Sequence, residues 1–186
     1  MLKKQVPNYS TGSKWIHWLV ALIVISMLAG SFFLDDVPEQ YKGRAYMIHK
    51  SVGLTVLFLM ILRLFWIRYR GKPALPVSVS AWERFLSHLV QYSLYVFVIL
   101  MPLCGWIMSV AANRTPVFFG LFPVPIPGIA PNKALSQLML QAHITIAWII
   151  IALLVLHIAG ALKHHFIDKD DVLRRMWRNR VEVKKR

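Results

Sequence analysis

His17, His49, His143 and His157 lie in stretches whose other side chains are almost all apolar. An ionisable group at membrane depth is costly and marks a functional site by default. Position converts to depth through a helical rise of about 1.5 Å per residue. His17 falls just inside the start of the first apolar stretch, and His49 opens the second at the opposite face. His143 lies near the start of the fourth, and His157 follows 14 residues later. By that rise it is about 21 Å deeper, and at about 100° per residue the step returns to within about 40° of the same helix face. The histidines therefore occupy two levels, which suits axial ligation of two b-type haems. Two imidazoles on one iron leave no open position for stable oxygen binding, so the chemistry is electron transfer.

A single histidine in a membrane is commonly satisfied by the backbone of a neighbouring helix. Four at matched depths, two of them sharing one face, require that coincidence several times over. At the outer level His49 and His143 stand alone, so a bis-histidine haem there takes both. The inner level offers three candidates, His17, His88 and His157, and depth does not select two of them. His164 follows the stripe of His143 but lies about 31 Å from it by the same rise, outside hydrocarbon. His165 points elsewhere and also reads as interfacial.

The elements that must position these residues follow from composition. The chain has 186 residues, 57% of them hydrophobic, with a mean hydropathy of +0.53. A helix needs about 20 residues to cross a hydrocarbon core of about 30 Å. Four spans meet that length, at about 15–34, 47–66, 85–111 and 136–163. The expected fold is all-α: one integral membrane domain, a four-transmembrane-helix bundle. The net charge of +14 is unevenly placed. Three Lys and Arg residues in the N-terminal arm, five from Arg63 to Arg84 and nine from Lys163 onward put 17 of the 22 on one side. The positive-inside rule then makes both termini cytoplasmic, in a bacterial inner membrane. The basic tail within 168–186 suits anionic lipid headgroups. No aromatic-interleaved nucleic-acid motif accompanies it. The first apolar run, at 20 residues, exceeds the roughly 7–15 of a signal-peptide core, so a retained helix is expected. Cys104 is the only cysteine and lies mid-span, which excludes a disulfide framework, a C-x-x-C-H attachment and a cysteine zinc site.

All eight acidic residues are expected in loops or tails. Without a carboxylate at membrane depth, a proton pump, an ion-coupled transporter and a His/carboxylate metal site are disfavoured. Pro102, with Gly105 close behind, predicts a kink in the third span. The segment Asn113–Lys133 carries five prolines among apolar residues. It cannot be helix, and it is too apolar to stand free in water, so it should cover the outer end of the bundle. A quinone site needs apolar walls with a few polar groups. Both this segment, with the end of the third span, and the inner pair His88 and Arg84 qualify.

Several motifs resemble the bacterial cytochrome b-561 family of four-helix dihaem membrane proteins. They are Lys14-Trp15-Ile16-His17-Trp18-Leu19, Met47-Ile48-His49-Lys50-Ser51, Pro102-Leu103-Cys104-Gly105, Ala142-His143, Leu156-His157-Ile158-Ala159 and His164-His165-Phe166. The resemblance covers nearly the whole chain and implies two haem b groups. One would be held by His17 with His157 on the cytoplasmic side, the other by His49 with His143 on the periplasmic side. It leaves the third span without a ligand, which sets His88 aside.

Within that family the chain looks like the superoxide:ubiquinone oxidoreductase member. The expected function is therefore oxidation of superoxide at the periplasmic face and reduction of ubiquinone. Lys50, Arg114 and Lys133 would line an entry that steers the anion inward, or else would bind haem propionates or lipid headgroups. The alternative is a cytochrome b subunit passing electrons between the quinone pool and a partner dehydrogenase.

Overall fold

The computed structural model describes residues 8–76 and 79–177. Four long helices dominate: α1 (Thr11–Ser31), α2 (Glu39–Arg70), α3 (Ala81–Ala111) and α4 (Lys133–Phe166). Each is long and apolar enough to cross a membrane. Between α3 and α4 stand two short strands, β1 (Val117–Phe118) and β2 (Phe122–Pro123), and a single helical turn, α5 (Arg174–Trp177), follows α4. Large apolar side chains such as Trp15, Leu22, Phe58, Phe65, Phe85 and Val155 are exposed along the helices. A water-facing surface would not be so apolar, and helices satisfy their own backbone in lipid. The chain is a multi-pass membrane protein.

Local chemistry sets the helix ends. Ser10 Oγ accepts from the Ser13 N–H (3.3 Å) at the start of α1, and Asn132 Oδ1 accepts from the Leu135 N–H (2.9 Å) at the start of α4. At α3 the Ser80 N–H and hydroxyl both donate to Glu83 Oε2, at 3.2 and 2.6 Å, a reciprocal cap. Helix α2 opens after Pro38 with Glu39 in its first turn and closes with Arg68 and Arg70 in its last, matching the helix dipole at both ends. Gly71, at φ 81°, terminates it.

These caps correct the expected boundaries. Helix α2 begins at Glu39, within what reads as a connection, and α3 and α4 also start before their apolar runs. Apolarity marks only the immersed part of a helix, whereas backbone hydrogen bonding continues into the polar surface until a cap stops it. Glu39 and Glu83 consequently lie in first helical turns rather than in loops. Helix α1 ends earlier than its apolar run, at Ser31, where the Phe33 N–H turns back to the Gly30 carbonyl at 3.1 Å. Helix α3 continues as helix through Pro102.

The Asn113–Lys133 segment is non-helical up to Asn132, as its prolines require, but it holds a small antiparallel hairpin, so the fold is not purely α. Val117 pairs with Pro123 and Phe118 with Phe122. Phe119 and Gly120 turn the chain with φ of 46° and 79°. The left-handed region costs a residue with a Cβ about 1–2 kcal/mol. Phe119 is held there by Ser51 on α2, whose Oγ accepts the Phe119 N–H at 2.8 Å. Trp106 Nε1 donates to the Val124 carbonyl at 2.8 Å, fastening the far side of the hairpin to α3.

Neighbours in sequence pack against each other: α1 on α2, α2 on α3, and α3 on α4. The core between them is built from Val20, Val24 and Leu28 of α1, Val56 and Met60 of α2, Val98 of α3, and Ile146 and Ile150 of α4. Gly12 lets α1 approach α2 closely, since a Cβ there would stand 2.7 Å from the Trp66 ring. Helix α4 behaves differently. It lies closely along α3 but stands off from α1 and α2, and only Ile146 and Ile150 of its 34 residues are buried.

At the end where α1 begins and α4 closes, Lys163 Nζ bridges Glu83 of α3 and Asp168, both at 2.8 Å. The chain then turns back. Trp18 Nε1 donates to the Met176 carbonyl (3.0 Å), Trp18 stacks edge-on with Trp177, and Arg175 donates to the Ala74 carbonyl at 2.7 Å. Lys3, Lys4 and the basic residues after Trp177 lie outside the described residues.

Replacing Ser51 tests the hairpin anchor. Ser51 is fully buried, so Ser51→Ala leaves the Phe119 N–H unpaired, at a cost of about 1–3 kcal/mol. The expected outcome is a lower melting temperature in detergent and faster proteolysis between Arg114 and Lys133, with the helical circular-dichroism signal retained.

Candidate functional site

The stand-off of α4 is bridged at two levels by histidine rings. His17 of α1 faces His157 of α4 with ring centres 6.2 Å apart and planes at 72°. His49 of α2 faces His143 of α4 at 6.3 Å and 65°. A metal–imidazole bond is about 2.0 Å and the bonded nitrogen lies about 1.1 Å from its ring centre, so two rings on opposite sides of one ion stand about 6.2 Å apart. Both pairs have that separation. At that separation they are too far apart to hydrogen bond ring to ring.

The surroundings of His143 fix its tautomer. Its Nδ1 lies 2.8 Å from the Met101 carbonyl. A carbonyl only accepts, so Nδ1 carries the hydrogen and Nε2 keeps its lone pair. A backbone acceptor on one nitrogen, with the other left free, is the arrangement that orients a metal-ligating histidine. Gly105 makes the approach possible: a Cβ at that position would lie 3.1 Å from the His143 ring. The resemblance already drew attention to the Pro102–Gly105 stretch, and here its role is to bring the α3 backbone against an imidazole of α4.

These observations fit a flat, iron-centred macrocycle at each level. The donors are imidazoles from two helices that do not pack closely on each other. His88 is not part of either pair. Its ring neighbours Tyr92, with centres 6.1 Å apart. Arg84, its suggested companion, donates instead to the Val79 carbonyl at 3.3 Å. His164 is clamped by Asp170 (2.7 Å) and Asp168 (3.2 Å) at the end of α4.

At the hairpin end, Lys50 Nζ donates to the Arg114 carbonyl at 3.2 Å, which places the two cations as neighbours one residue from His49. Lys133, exposed, opens α4 at the same end. Asp35 joins this end and accepts from the Tyr46 hydroxyl at 2.6 Å. This end therefore carries cations together with carboxylates, Asp35 in contact with Tyr46 among them, a feature that the charge count alone did not place.

Sequence reasoning missed Arg63, which it grouped with the basic residues of the middle loop. The structure buries Arg63 within α2, 9% exposed, with its Nε donating to Tyr95 Oη (2.9 Å) and Nη1 to the Ser13 carbonyl (3.0 Å). Its position seven residues from the end of α2 was the available signal.

Comparison with known proteins agrees with this architecture. The pattern of the prokaryotic cytochrome b561 family matches residues 8–179. The chain is similar to cytochrome b561 homolog 2 of Escherichia coli, with 32% identity covering 91% of this chain and 90% of the relative. It is similar to the probable superoxide oxidase CybB of Yersinia pestis, with 31% identity covering 91% and 95%. It is also similar to cytochrome b561 homolog 1 of Escherichia coli, at 27% identity over 91% and 96%. The chain belongs to the prokaryotic cytochrome b561 family, membrane proteins of electron transfer that bind b-type haem.

Proposed function

We propose that this single membrane domain carries electrons across the bacterial inner membrane through two haem b groups, oxidising superoxide at the periplasmic face and reducing ubiquinone. The observation that carries this reading is the matched separation of the two imidazole pairs, 6.2 and 6.3 Å. His49 and His143 would hold the outer haem, and His17 and His157 the inner one. The name of the Yersinia pestis relative supports the choice of substrate. The cationic end faces the periplasm in this reading, because Arg68, Arg70, Lys72, Arg84, Lys163 and Lys169 gather at the opposite end.

Bound haem supplies one-electron redox chemistry at each level. The protein's part is to position and exclude. His143 is held in one tautomer by Met101, and helix α4 sets both levels on one rigid axis, about 21 Å apart by helical rise. Lys50 and Arg114 attract an anion to the end near His49. The stoichiometry closes as two superoxide ions giving two dioxygen molecules and two electrons. With two protons, those electrons convert one ubiquinone to ubiquinol.

Two non-covalent haems per chain should copurify. Substituting His49 or His143 should remove one, and substituting His17 or His157 the other. His88→Ala should leave both intact, as read by pigment extraction and Soret absorbance. One haem or none in the parent protein overturns the dihaem assignment.

Orientation has its own check. A C-terminal alkaline phosphatase fusion should be inactive and a fluorescent fusion bright. The opposite pattern inverts the assignment of faces.

The rate of haem reduction by superoxide should fall with ionic strength, as the Debye length shortens from about 30 Å at 0.01 M to about 10 Å at 0.1 M. Replacing Lys50, Arg114 and Lys133 by glutamine should flatten that dependence and leave the reaction with neutral quinone nearly unchanged. A superoxide rate indifferent to both changes assigns these cations to propionates or lipid. Failure of superoxide to reduce the protein at all moves the chain to the role of an electron-carrying subunit for a dehydrogenase.

A further inference from the structure

Arg63 is a cation near the cytoplasmic end of the expected second span, and the fold buries it. It is buried where α1, α2 and α3 meet, and it donates to the Ser13 carbonyl, one helical turn before His17 on α1. Its partners among the described residues are neutral: the Tyr95 hydroxyl, the Ser13 carbonyl, and the Tyr95 ring, whose centre lies 5.7 Å from Cζ. No carboxylate among the described residues pairs with it. Burying a guanidinium with only neutral protein partners carries a desolvation penalty, so a purely structural role is poorly served by it. An apolar residue would pack between the helices at less cost.

We propose that Arg63 raises the reduction potential of the haem held between His17 and His157 and so makes the inner level the preferred resting place of the electron. This rests on the dihaem reading above. The ferric centre carries one more positive charge than the ferrous centre. A fixed cation nearby therefore disfavours the ferric form, and it does so strongly where water is excluded and the dielectric is low. The cations at the outer level differ in exposure. Lys50 is half-buried and Arg114 is exposed, so solvent and salt screen both cations. Tyr95 and Ser13 hold the guanidinium in place through its donors, and they do not cancel its charge because both are neutral. The asymmetry points the electron from the superoxide side toward the side where Arg63 lies.

The test is a redox titration of the purified two-haem protein in lipid nanodiscs, followed by haem absorbance. His49→Ala, which keeps only the inner haem in this scheme, identifies the inner component. Arg63→Gln should lower the inner potential, giving about a tenfold lower ferrous-to-ferric ratio at fixed ambient potential, or about 59 mV for a one-electron couple. The outer component should stay unchanged. Arg63→Lys should hold the inner potential near the parent value, and Tyr95→Phe should do the same, since each keeps the charge. If Arg63→Gln does not accumulate, Tyr95→Glu brings a carboxylate to the same guanidinium and should lower the inner potential in the same sense. An inner ratio changed by less than about twofold in Arg63→Gln, or in Tyr95→Glu where that variant decides, overturns the proposal. An equal shift of both components also overturns it. Absence of two haems in the parent protein is a different failure, that of the dihaem reading itself.

Discussion

Everything in this bundle is arranged around the meeting of imidazoles across the gap between α4 and its two distant neighbours. Hydrocarbon offers polar side chains no partner, so each histidine at membrane depth must find one within the protein. The pairs His17–His157 and His49–His143 face each other at two levels across that gap, too far apart to bond ring to ring. The close packing lies elsewhere, along α1–α2, α2–α3 and α3–α4. Helix α3 is the spine: it carries no paired histidine, yet it presents Gly105 and the Met101 carbonyl to His143.

The two ends of the bundle are finished in different ways. At the hairpin end, polar contacts are spent on holding an irregular segment. Ser51 takes the Phe119 N–H, Trp106 holds the Val124 carbonyl, and Lys50 reaches the Arg114 carbonyl. At the other end, charged side chains bridge regular helices, with Lys163 joining α3 to the turn after α4. The first construction leaves cations beside His49 in contact with solvent. The second surrounds a buried cation, Arg63, with neutral partners. The same kind of charge thus serves two environments, screened at one level and nearly unscreened at the other.

Much of this was legible in the chain itself. Four apolar runs gave the four helices, because crossing hydrocarbon demands both length and apolarity, and little else in a sequence looks like that. The 14-residue step from His143 to His157 placed both on one face, since a continuous helix fixes depth and direction together. The outer pair followed from depth alone. Choosing among His17, His88 and His157 did not, and it needed the resemblance. In the structure His88 stands with Tyr92 instead. Helix α2 runs past its expected span, because Pro38 and Glu39 start it in the polar surface. Hydropathy is blind there, because the cap and not immersion decides the boundary.

The sequence by itself determined the number of spans, the two levels of histidines and the asymmetry of charge, all of which depend on distance along a single helix or on counting residues. The tertiary structure decided which rings face each other, how far apart they stand, and what surrounds them. Arg63 shows the difference most plainly. In the chain it is one basic residue among several near the end of an apolar run. Its burial and its neutral partners Tyr95 and Ser13 arise from three helices meeting. Contacts between residues 32 and 50 positions apart are fixed by how helices pack, and no local pattern in the chain records them.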